Sequence, residues 1–68
     1  MTSEQWISNF AGRIDIDSPS PDETNEILKL AGIAAHASER ISAPLACWIA
    51  GRSGRSPEEL CRIAQELG

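Results

Sequence analysis

His36, Glu39 and Arg40 place an imidazole, a carboxylate and a guanidinium within five residues of one another, in the stretch AAHASERISAPLACWIAG. On an unbroken helix His36 and Arg40 are one turn apart and share a face, while Glu39 is turned away from the histidine. Such a pair could hold an anionic group, and His36 alone could carry a proton. General acid–base catalysis needs more, namely a second titrating group and a nucleophile or substrate cleft. No serine, cysteine or carboxylate is spaced to complete that set, so no catalytic residue is assigned. The structural alternative is that both side chains hydrogen-bond carbonyls at the helix end and in the ISA turn, where positive charge is favourable. This reading is preferred for His36, deep in the apolar run. For Arg40 both readings stand, because its stem can pack while its head stays in water.

Arg52 and Arg55, in GRSGR, offer a second anion site if they flank a helix N-terminus. Glu58 and Glu59 occupy that same electropositive end, which favours a solvated turn. The helices on either side superficially suggest a helix-turn-helix, but the second would present Glu58, Glu59 and Glu66 against Arg62 alone and would repel phosphates. DIDSPSPDETNE places Asp15, Asp17 and Glu26 at calcium-loop positions, yet Ser20 stands where the loop needs glycine. An acidic solvated linker is the better reading. Cys47 and Cys61 lack the close pairing of a zinc site and are expected to be small buried hydrophobes in a reducing compartment. No metal or cofactor is expected.

These side chains must be positioned by a small framework. Sixty-eight residues make one domain, residues 1–68, that buries only about 60% of its unfolded surface. The composition, 41% hydrophobic and 24% charged, is that of a globular chain, and its many alanines favour close-packed helices. A net charge of −4 argues against a nucleic-acid partner and gives no attraction to an anionic membrane. No apolar run approaches the ~20 residues that span a bilayer, and MTSEQWISNF lacks the basic flank of a signal peptide. A cytoplasmic location is expected.

Caps and breakers predict an all-α, compact four-helix domain with short connections. Thr2 and Gln5 form a capping box for a helix over 3–12, with Trp6, Ile7, Phe10 and Ile14 on one face and Gly12 at its end. SPDE at 20–23 starts a second helix over 21–40, apolar on several sides and therefore central, with Gly32 admitting a close neighbour. Pro44 cannot lie inside that helix and keeps Ala43 from helical angles, so the chain turns and restarts at Pro44. PLACWIAG predicts a short buried helix over 44–51, with Trp48 in the core and Gly51 as its left-handed stop. SPEE, capped by Ser56, starts the last helix over 57–67, with Leu60, Ile63, Ala64 and Leu67 facing inward.

LAGIAAHASERISAPLACWIAGRSG is similar to the hallmark region of a small actinobacterial domain family of unknown function. Leu30, Ala31, Ala35, His36, Glu39, Arg40, Ala43, Pro44, Leu45, Ala50 and Gly51 carry the resemblance. EQWI and PEELCRIAQ match the family's ends more loosely, so the likeness spans nearly the whole chain while only its central third is specific. Gly32 stands where the family often has an acid and Ile41 where a proline is common. In related chains such a domain follows one resembling a molybdenum-cofactor guanylyltransferase. The resemblance therefore implies an accessory role near molybdenum-cofactor synthesis, with a guanylyltransferase-like enzyme as partner. The expected function is a non-enzymatic protein-interaction or accessory module. The alternative is a small-ligand, anion-binding or catalytic domain that uses His36 and Arg40.

Overall fold

The computed structural model describes residues 1–67, and these fold as four helices: α1 (Ser3–Arg13), α2 (Pro21–Ala37), α3 (Ser42–Ser53) and α4 (Pro57–Leu67). The all-α expectation holds. Three helix starts use the side-chain caps that the sequence advertises. Thr2 Oγ1 accepts from the Gln5 N–H at 3.1 Å while Gln5 Oε1 accepts from the Thr2 N–H at 2.9 Å. Ser20 and Glu23 repeat the exchange at 3.1 and 2.8 Å. Ser56 Oγ accepts from the Glu59 N–H at 3.2 Å. There the box is half made, because the Glu59 carboxylate turns to Arg55 Nη1 at 3.0 Å.

The helix ends depart from expectation. α1 runs past Gly12 and closes at Asp15, whose φ of 61° puts it in the left-handed region. Ile16 N–H donates to the Ala11 carbonyl at 2.9 Å and Asp15 N–H to that of Gly12 at 3.3 Å. This is a Schellman closure with aspartate, one of the few L-residues that tolerate that region, in the usual glycine place. α2 stops at Ala37, three residues short of Arg40, and α3 begins at Ser42, two residues before Pro44. Ala43 is helical. A first-turn N–H has no intrahelical acceptor, so proline at the third helical position forfeits no hydrogen bond, and the steric bias against helical angles at the residue before it is overcome. The Ser42 and Ala43 N–H groups instead donate to the Glu39 and Arg40 carbonyls at 2.9 and 3.1 Å, and α3 has no side-chain cap. At its far end α3 passes through Gly51 and stops at Gly54, with φ of 72°.

α2 is central, with α3 and α4 packed on it. The core is Leu30 of α2, Ala50 of α3 and Cys61 of α4, with Ile33, Leu60 and Ala64 packed around them. Gly32 has open space where a Cβ would stand, so it does not serve a close helix approach. In α4 Leu60 and Ala64 face inward as expected, but Cys61 is its deepest residue, while Ile63 is 40% and Leu67 85% exposed. α1 stands apart, with Ala11 as its one buried residue. The molecule's radius of gyration, 12.5 Å, exceeds the ~11 Å typical of this length, as a projecting helix requires.

Candidate functional site

The polar residues proposed as a site are not brought together. His36 sits in the last turn of α2, where its positive form suits the helix dipole. It is exposed, on an open cleft walled by Gly32, Ile33 and Ala37 of α2 and Ala64 and Gln65 of α4. Arg40 lies beyond the end of α2, so the one-turn spacing that would have paired it with His36 is lost. Among the described residues neither side chain makes a hydrogen bond or ion pair, so the expected bracing of carbonyls is not formed. Arg55 is engaged by Glu59 on its own helix-entry turn. Arg52 belongs to the end of α3, where its guanidinium lies 4.8 Å from the centre of the Trp48 ring. Among the described residues no group of three or more His, Cys, Asp or Glu side chains is gathered as metal ligands would be.

What the structure does assemble is an apolar surface. Trp48, expected in the core, is 63% exposed. The reason lies in the phase of α3. Ala50 faces α2, which turns Ile41, Leu45, Trp48 and Arg52, spaced at four, seven and eleven residues, onto the opposite side. Ile41, Leu45 and Ile49 are between 61% and 66% exposed. Arg52 is the single charged residue of α3, and it covers Trp48 with a cation–π contact rather than interrupting the stripe.

A second apolar surface belongs to α1. Trp6 and Phe10 stack with ring centres 5.2 Å apart, both more than half exposed, and Ile14 continues their face. On its other side α1 leans over α2 and leaves a groove of about 520 Å³. Glu4, Ile7 and Ser8 form one wall of this groove and Thr24, Ile27 and Leu28 the other.

Sequence reasoning missed the α3 ridge and the α1–α2 groove. The signal available for the ridge was that PLACWIAG is apolar on every side, so that any one neighbour must leave apolar residues uncovered. Beneath the ridge, Cys61 Sγ donates to the Glu26 main-chain carbonyl at 3.3 Å, and Cys47 is half-buried, so both thiols are free. No helix among the described residues is long and apolar enough to cross a membrane.

Neither a curated protein nor a solved structure matches this chain significantly. Residues 1–67, which carry all four helices and both apolar surfaces, match a family described as a domain of unknown function (DUF6457), and the chain belongs to that family.

Proposed function

We propose that the domain is a non-enzymatic docking module whose contact surface is the outward ridge of α3. The observation that carries this reading is Trp48 at the centre of that ridge, exposed among Ile41, Leu45 and Ile49. A helix that is hydrophobic all round belongs among neighbours on all sides, and α3 has its neighbours on one side only. The total surface supports the same reading. Folded monomers of 7.3 kDa expose about 4,200 Å² by mass scaling, whereas this chain exposes 5551 Å². Tryptophan and arginine are also the side chains that most often dominate binding energy, and the ridge has both in contact at its centre.

The family resemblance points to a class of partner to try first, a guanylyltransferase-like enzyme, and to an accessory place in molybdenum-cofactor synthesis in the cytoplasm. The acidic balance of the chain speaks against nucleic acid. The anion-site alternative loses support from the separation of His36 and Arg40. The test is retention of proteins from the native cytoplasm on immobilised wild type and on Trp48→Glu. The variant is expected to keep its helical circular dichroism, since Trp48 lies outside the core, and to lose proteins that the wild type holds. Equal retention by both would remove α3 from the reading.

A further inference from the structure

We infer that the occupant of the α3 ridge is a second copy of this chain, with the ridge of each copy seated in the α1–α2 groove of the other. The inference rests on the docking reading of α3 and names its partner. Three observations carry it. The first is shape. The chain holds both a convex apolar element, centred on Trp48, and a concave one, the groove of about 520 Å³ walled by Ile7, Ile27 and Leu28. The groove has room for an indole and for the aliphatic side chains beside it.

The second is charge. Residues 1–30, which contain the groove's lining, hold six carboxylates against Arg13 and Lys29, and of these charged groups Glu4 lines the groove itself. Residues 36–55, which build the ridge and its flanks, hold Arg40, Arg52 and Arg55 against Glu39 alone. Arg55 is taken by Glu59, but Arg40 and Arg52 make no ion pair among the described residues. The charged residue among the groove's lining, Glu4, is opposite in sign to Arg40 and Arg52 on the ridge side, so charge favours pairing of ridge and groove between copies.

The third is area. The 5551 Å² surface exceeds the ~4,200 Å² of a monomer of this mass by more than the ~800 Å² each partner buries in a standard interface. Reciprocal seating uses both elements of both copies and closes the assembly at two, the commonest arrangement of soluble homo-oligomers.

Sedimentation equilibrium on the purified chain tests this, with Trp48→Glu damaging the ridge and Leu28→Glu the groove. Both side chains are more than 60% exposed, so each variant keeps its helical spectrum, which circular dichroism verifies. The wild type is expected at twice 7.3 kDa and each variant alone at 7.3 kDa. An equimolar mixture of the two variants regains the doubled mass, because it retains one intact ridge and one intact groove. A wild type that stays monomeric at every concentration overturns the inference, yet leaves the docking reading intact if Trp48→Glu still loses proteins from the extract. A dimer that survives Trp48→Glu overturns the inference, and the docking reading falls with it only if Trp48→Glu also retains the extract proteins that the wild type holds. A dimer that survives Leu28→Glu overturns the ridge-in-groove arrangement.

Discussion

Cys61 is the most deeply buried side chain of the core, 2% exposed, and the titration of its thiol is displaced. Burial raises its pKa above the ordinary value near 9, and the Glu26 charge and hydrogen bonding add to the rise while Lys29 opposes it. At neutral pH it is therefore a protonated hydrophobe and not a nucleophile. The sign of the pH effect follows. Above pH 9 the unfolded chain gives up this proton while the folded chain keeps it, so the unfolded state binds fewer protons and stability falls. The contribution is fully present below the unfolded value and is lost as pH rises through the raised folded one. The melting temperature of the wild type should thus fall beyond pH 9 more steeply than that of Cys61→Ala, whatever the variant's starting stability. Parallel alkaline limbs would acquit the thiol. Trp48 makes the opposite case, since a truncated residue outside the core costs little. Trp48→Ala should lower stability by no more than about 1 kcal/mol, the scale of its exposed cation–π contact with Arg52, as read from a denaturant midpoint.

At the scale of the element, side-chain caps decide where α1, α2 and α4 start. Ser56→Ala should cost about 0.5–2 kcal/mol in a denaturation midpoint, because the Glu59 N–H loses its acceptor at 3.2 Å. An unchanged midpoint would show that water replaces the hydroxyl fully. The two glycines of α3 make a sharper pair. Gly54, at φ of 72°, should lose about 1 kcal/mol on substitution by alanine, whereas Gly51 lies within α3 with open space around it and should gain about 0.5–1 kcal/mol. Equal effects at the two positions would contradict the α3 boundaries. The starts of α1, α2 and α4 were legible in the sequence because a cap is local: Thr2, Ser20 and Ser56 each reach an N–H three residues on, whereas the uncapped α3 starts two residues before the Pro44 expected to open it. The stops were less legible, since Asp15 and Gly54 act through a left-handed backbone that Gly12 and Gly51 could equally have supplied. The phase of α3 was illegible for a different reason. With apolar residues on every side it has no polar face to mark solvent, so only its packing on α2 decides that Ala50 is inside and Trp48 outside. The proposed pairing of His36 with Arg40 assumed a helix through residue 40, and it failed with the end of α2 at Ala37.

At the scale of the whole molecule the framework is uneven. Leu30, Ala50 and Cys61 tie α2, α3 and α4 together, but α1 contributes only Ala11 to the buried interior and overhangs a groove. An isolated helix of 11 residues is marginal in water, so α1 gains little from its own caps once it lifts from α2. Opening of α1 should therefore be a local event that leaves the other three helices in place, with a free energy well below that of global unfolding. In hydrogen exchange on dilute protein, the hydrogen-bonded amides of α1 should exchange much faster than those beside Leu30 in α2 and Cys61 in α4. Uniform protection across all four helices would show that α1 is held more firmly than its single buried residue implies. The concentration dependence gives the same experiment a second use. Seating a ridge in the α1–α2 groove would cover Ile7 and Leu28 and clamp α1 onto α2, so protection in α1 should rise with protein concentration in the wild type and stay low in Trp48→Glu. A partner that binds only the folded state adds stability by mass action, and here that stability would fall mainly on the helix that lacks it.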